Sequence, residues 1–191
     1  MTELFPLTPV PAHLHERLAA DAAREGILDV AYRTVDTPVG TLLLAATPAG
    51  LVRVAYDPAD EALLALAEKV SPRILRAPAR LDLVARQLDE YFAGTRRRFD
   101  VPLDLRLATG FRRAVLDHLP DIDYGRTASY AEVAAAAGSP RAVRAVGTAC
   151  ALNPVPVVVP CHRVVLSNGS MGRYAGGTAA KRTLLELEAA S

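Results

Sequence analysis

The segment VVVPCHRVV, residues 157–165, sets a thiol and an imidazole side by side at the end of an apolar run. A cysteine among valines has its thiolate disfavoured, so Cys161 taken alone reads as a core residue. The neighbouring His162 is the one nearby group that could act as its base. In an extended chain, however, adjacent side chains point to opposite sides. His162 can assist Cys161 only if the backbone turns between them or a water bridges the two. A third group lies in the C-terminal stretch GTAAKRTLLELE, whose spacing predicts a helix capped by Thr178. There Glu188 falls four residues after Leu184, on the apolar face. A carboxylate that orients a histidine would complete a nucleophile–base–orienter set. A solvated carboxylate at a frayed helix end fits the same residues, because negative charge there opposes the helix dipole.

The approach to Cys161 is stiff. Pro154 and Pro156 fix φ and remove two backbone donors. Val157, Val158 and Val159 predict a buried, strand-like run that Pro160 ends. Asn153 can bond its own local backbone or brace a neighbouring loop.

The elements that must hold this segment divide near residue 102. Residues 1–28 predict an irregular, Pro-containing start and a short amphipathic helix around Leu14, Leu18 and Ala22. Strand-like runs follow at 29–36, 41–47 and 51–57. TPVG and TPAG join them, which predicts a small antiparallel meander. Helical patterns occupy 59–69 and 80–94. The organisation expected is an N-terminal α/β domain over 1–102, with 1–28 as an extension, and a C-terminal, mostly helical domain over 103–191.

The second half carries a helix over RLATGFRRAVLDHL and then the clearest local signals in the chain. Ser129 and Glu132 form an S-x-x-E capping box, so a helix starts at Tyr130 and Gly138 stops it. Ser139 with Pro140 predicts the start of a second helix, making a helix-turn-helix. Such corners also occur in proteins that bind no nucleic acid. Here Arg141 and Arg144 are expected on one face of the second helix. Ala142, Ala145, Gly147 and Ala149 around them are small enough to admit a close partner.

Composition constrains the classes. With 51% hydrophobic and 23% charged residues the chain reads as an ordinary globular protein. Its net charge of +1 gives no global basic field, so nucleic-acid binding must come from locally placed arginines. No apolar run approaches the ~20 residues that span a bilayer, and no signal pattern opens the chain, so a cytoplasmic protein is expected. Two cysteines and four scattered histidines make no metal-ligand pattern. Neither metal nor cofactor is expected.

Taken together, Asn153-Pro154, Pro160-Cys161-His162-Arg163-Val164, Gly172-x-Tyr174-x-Gly176-Gly177, Lys181 and Leu184-Leu185-x-x-Glu188 strongly resemble the O6-alkylguanine-DNA alkyltransferases. SYAEVA and RAVRAVG resemble that family's helix-turn-helix, and YF-x-G with FDVPLD its interdomain region. The likeness runs over roughly residues 30–188. It implies an α+β fold, with an RNase H-like domain of small antiparallel sheet followed by a winged helix-turn-helix domain. It also implies direct reversal of damage. Duplex DNA is held by its minor groove, O6-methylguanine and O4-methylthymine are flipped out, and the alkyl group passes irreversibly to Cys161.

The resemblance further assigns His162 through a water, Glu188, Asn153 and Tyr130 to the chemistry. DNA contact is assigned to Arg144, as the residue that replaces the flipped base, with Arg141, Ser129, Tyr130, Ala142, Ala145 and Gly147. The base pocket is assigned to Tyr174, Ala175, Gly176, Pro156, Val164 and Lys181. A monomer, with cooperative assembly on double-stranded DNA, is implied. Two departures stand out: the chain has no Trp, with Val115 and Leu116 where members often carry one, and Ala175 replaces the Ser of some members. The alternatives are a sensor that binds alkylated bases without repairing them and a Cys-His hydrolase. Sensors of that kind lack the acceptor cysteine. A hydrolase would form a thioester that water cleaves.

Overall fold

The computed structural model describes residues 11–56 and 59–190. The Pro-rich start and the end of the third strand run at Asp57 lie outside the described residues. The described residues begin with α1 (Ala12–Arg24) and then a hairpin pair, β1 (Val30–Thr37), β2 (Gly40–Thr47) and β3 (Gly50–Ala55). Both turns are T-P-x-G, and in each the threonine hydroxyl accepts the backbone N–H two residues on. Gly40 and Gly50 take positive φ, of 104° and 144°. A Cβ on Gly50 would overlap the Pro102 carbonyl, so this turn is where the segment entering the second half packs against the sheet. After α2 (Ala59–Lys69) comes a strand that sequence patterning does not reveal, β4 (Ile74–Arg76). It pairs parallel to β1 and completes the order β3-β2-β1-β4. Three residues are too few to show a period.

Strand β2 is buried on both faces, and its two-residue period sorts side chains between two cores. Leu43 and Ala45 meet Ala62 and Leu66 of α2. Leu42, Leu44 and Ala46 share the large cluster with Val84, Leu88 and Tyr91 of α3 (Asp82–Phe92). That cluster continues into the second half through Val115 and Leu116 of α4 (Gly110–His118), both fully buried in the place where the resemblance looked for Trp.

In the second half, α4, α5 (Tyr130–Ala136) and α6 (Val143–Ala151) pack on one another. A short parallel pair, β5 (Ala128–Ser129) and β6 (Val164–Val165), lies beside them, and α7 (Gly177–Ala189) closes the chain. The capping box forms as expected: Ser129 Oγ accepts the Glu132 N–H and the Glu132 carboxylate accepts the Ser129 N–H.

Four expectations need correction. The second helix starts at Val143, not Pro140. Gly138, at φ 76°, ends α5 in a Schellman-type turn, in which Ser139 N–H bonds the Ala134 carbonyl and Gly138 N–H that of Ala135. Ser139 therefore belongs to the end of α5, and Pro140 keeps it out of helical conformation. Arg141 sits in the turn and does not share a helix face with Arg144. The valines 157–159 are buried but not a strand, as described below. The last helix is capped by Gly176, not Thr178.

Candidate active site

The site rests on a run of tight turns that the three prolines impose. Pro154, Pro156 and Pro160 withhold the donors a ladder would need. Val157 takes φ 73°, a conformation a β-branched residue rarely adopts, and Val159 N–H reaches back to the Val155 carbonyl at 2.9 Å. Pro160, at φ −82° and ψ 60°, makes an inverse γ-turn closed by Cys161 N–H on the Val159 carbonyl. Residues Cys161–Arg163 then form one 3-10 turn. The backbone turns between thiol and imidazole, the condition required for the two to cooperate.

Asn153 pins the arrangement from inside. Its Oδ1 accepts the Val155 N–H at 3.0 Å, and its Nδ2 donates to the Val159 carbonyl at 2.9 Å. The same Nδ2 lies 3.2 Å from Cys161 Sγ. Cys161 is 2% exposed, and burial pushes its thiol up to about 11, against the weaker opposing influence of Asn153 and Lys181. At neutral pH the group is a thiol.

Glu188 is the hub behind His162. Its Oε1 lies 2.8 Å from His162 Nε2 and accepts Tyr91 Oη–H at 2.7 Å and an Arg163 terminal N–H at 2.9 Å. Its Oε2 accepts Arg163 Nε–H at 2.9 Å and Gly125 N–H at 3.2 Å. Burial opposes the charge, but the bonds from His162 and Arg163 outweigh it and hold the carboxyl at about 2. An ionised carboxylate can only accept, so His162 carries its proton on Nε2 and offers a lone pair at Nδ1. Nδ1 is buried and has no hydrogen-bond partner among the described residues. Burial lowers the pKa of His162, against the raising influence of Glu188, so the ring is neutral at pH 7.

Around this centre, Tyr174 stands edge-on to His162, with ring centroids 6.3 Å apart, and its hydroxyl is 3.1 Å from that of Tyr56. The glycines of the loop are space requirements: a Cβ on Gly172 would overlap the Tyr130 hydroxyl, and one on Gly176 the Tyr56 ring. Tyr130 is half-buried and flanks Gly147 of α6. Lys181 is wholly buried and donates to the Val164 carbonyl at 2.6 Å. Pro156 and Val164 are buried, while Ala175 is exposed on the loop. On the surface, Arg144, Ala145 and Arg141 are exposed, with Ala142 and Gly147 half-buried beside them.

The fold thus gathers Cys161, His162, Glu188, Asn153, Tyr174 and Lys181 and puts Tyr130 against the adjoining glycine loop. Sequence reading missed four partners. Arg163 lies within the motif, but nothing in the sequence says that it turns inward. Tyr91 shares the apolar face of α3 with Val84 and Leu88 and reads as core. Tyr56 follows a strand, and Gly125 donates through its backbone, so neither carries a side-chain signal.

Two family models match the chain: "6-O-methylguanine DNA methyltransferase, ribonuclease-like domain" over residues 30–105 and "6-O-methylguanine DNA methyltransferase, DNA binding domain" over 110–190. The methylated-DNA–protein-cysteine methyltransferase of Mycobacterium tuberculosis is 40% identical over 162 residues, 82% of this chain and 91% of that protein. The constitutive enzyme of the same name from Bacillus subtilis is 39% identical over 163 residues, 82% of this chain and 94% of that one. A crystal structure of the Mycobacterium tuberculosis protein in complex with DNA superposes with a TM-score of 0.73 at 40% identity, covering 84% of this chain and 93% of that one.

Proposed function

The chain belongs to the 6-O-methylguanine DNA methyltransferase family, and from that premise we propose that it repairs duplex DNA by moving the alkyl group of O6-methylguanine onto its own Cys161. The observation that carries this reading is the buried Glu188–His162 pair with an unpartnered Nδ1, next along the chain to a thiol held near 11. A pocket that keeps the sulfur protonated until substrate arrives suits a reagent used once.

The chemistry follows from the tautomer. Nδ1 of His162 takes the Cys161 proton through a bridging water, and Glu188 stabilises the imidazolium that results. The sulfur attacks the methyl carbon in line, an S–C bond forms, and the C–O6 bond breaks with its electron pair passing to guanine. Tyr130 donates a proton as guanine leaves. The product is a thioether, which water does not cleave, so one protein performs one event.

Because the reacting atom is out of reach in a stacked duplex, the base is extruded through the minor groove, and Arg144 fills its place in the stack. Arg141, in the preceding turn, and the Ser129–Tyr130 helix start contact the backbone, while Ala142, Ala145 and Gly147 let the helix in closely. Tyr174, Ala175, Gly176, Pro156, Val164 and Lys181 frame the base. O4-methylthymine fits the same chemistry. The protein acts as a monomer, with side-by-side assembly on DNA. Two free, buried cysteines suit a reducing, cytoplasmic setting, and no helix among the described residues is long and apolar enough to cross a membrane.

Intact mass after mixing with an O6-methylguanine duplex tests the proposal: one methyl group per protein, on Cys161, and no second turnover. Continued turnover would indicate a hydrolase, and tight binding without a mass change a sensor. Two further results are expected. Arg144→Ala slows repair in duplex roughly tenfold or more, and leaves the free alkylated base much less affected; equal losses on both would remove the stacking role. The methyl-transfer rate should be flat above pH 6.5 and fall only below it, because burial lowers the His162 pKa from its usual 6.5 and the ring must be neutral to accept a proton. Stopped-flow rates between pH 5 and 8 decide this; a decline beginning near pH 8 would point to a different base.

A further inference from the structure

Helix α6 has one exposed face, and that face leads somewhere. Arg144, Thr148, Ala151 and Leu152 are all exposed and recur at helical spacing, making a continuous stripe. From Arg144 to Ala151 the stripe is about 10 Å long, at ~1.5 Å per residue. That equals about three base pairs of B-form rise, at ~3.4 Å each. At its far end Ala151 and Leu152 form part of the wall of a cleft of about 560 Å³.

The opposite wall comes from the N-terminal half, from β3 and α2, and the two halves are tied there by Val54 N–H on the Pro154 carbonyl at 2.8 Å. Three cationic side chains line the cleft: Arg53 on β3, Lys69 at the end of α2, and Arg112 on α4. Among the described residues that line it, none is a carboxylate. Lys69 is exposed. Arg112 is anchored through one terminal nitrogen to the Leu107 carbonyl, and its buried Nε–H has no partner among the described residues. The remaining lining is largely apolar, and Asn153, Pro156 and Ala175 place the cleft directly behind the acceptor site.

We propose that this cleft is a second DNA contact, in which Lys69, Arg53 and Arg112 receive a phosphodiester of the same duplex whose base is extruded beside Arg144. The proposal rests on the alkyl-transfer reading and extends it. A strand lying along the exposed face of α6 carries its backbone into a site of opposite charge, at a spacing that a duplex supplies. The N-terminal half then takes part in holding DNA. Because the net charge of the chain is only +1, a local trio of cations supplies attraction that the molecule as a whole does not.

The test is the affinity for an O6-methylguanine duplex extending several base pairs on both sides of the lesion, measured across a range of salt. Lys69→Glu should weaken binding roughly tenfold at about 0.1 M salt, and Lys69→Gln by less. In both variants the slope of log affinity against log salt should become shallower by about 0.9, the loss of one phosphate contact. The effect should vanish on a duplex cut short at the lesion, and transfer from the free alkylated base should be spared. Wild-type affinity and slope in Lys69→Glu would overturn the proposal. So would retention of duplex binding with loss of guanosine monophosphate binding, which would assign the cleft to a free nucleotide. If the wild-type protein accepts no methyl group at all, the alkyl-transfer reading is what fails.

Discussion

Cys161→Ala should accept no methyl group from O6-methylguanine DNA, while the wild-type protein should accept one and stop. The reason is the product: the proposed transfer ends in a thioether, and the sulfur at position 161 is the atom that receives the carbon. Cys150 is the other thiol, yet burial pushes it up to about 12 and it has no histidine beside it, so Cys150→Ala should still accept one equivalent. The alanine variant remains folded. Removing one buried sulfur costs about 1 kcal/mol, or roughly 2–4 °C in Tm for a chain of this length. Asn153 keeps its bond to the Val159 carbonyl, so the turn that presents residue 161 survives. Duplex binding should therefore persist, and intact mass with a band-shift on the same sample separates acceptance from binding. A methyl group recovered on Cys161→Ala would move the acceptor elsewhere.

Glu188→Gln should damage both stability and chemistry. The carboxylate is the counter-ion of Arg163, which is 5% exposed, and it also accepts from His162, Tyr91 and Gly125. Neutralising it strands a buried guanidinium, a change worth about 3–5 kcal/mol and hence a Tm lower by roughly 6–20 °C. An amide can also present its NH₂ to Nε2, which reverses the imidazole tautomer and removes the lone pair from Nδ1. Methyl transfer should fall about 10²-fold or more, the scale of a lost proton-transfer step. Thermal melts and single-turnover rates measure the two effects separately.

The sign of the pH dependence of stability follows from the same residue. The Glu188 pKa is depressed from its usual 4.5 to about 2 in the fold, so its contribution is complete above 4.5 and disappears as pH falls towards 2.

Much of the site was legible in the residues. Cys161, His162 and Glu188 stand out because each is a reactive group in an apolar pattern, which chain chemistry alone does not explain. The capping box at Ser129 and Glu132 is a local hydrogen-bond exchange, so four residues specify it. The T-P-x-G turns are similarly local, and they fixed the meander. What escaped were features set by distant chain. β4 is recognisable only through its parallel pairing to β1, and Ser139 ends the first helix instead of capping the second because a Schellman turn competes with an N-cap for the same residue.

The sequence by itself determined that a thiol, an imidazole and a carboxylate would stand on or beside stiff elements, and that a capped helix would begin at Tyr130. Such properties depend on side-chain type and on spacing within a few residues. Only the tertiary structure decided that Arg163 and Tyr91, from opposite halves, both turn onto Glu188, and that this fixes Nδ1 as the basic nitrogen. It alone brought β3 and α2 against the end of α6 to enclose a cationic cleft. Contacts between residues as far apart as Tyr91 and Glu188 have no period in the chain and follow from burial of one shared apolar cluster.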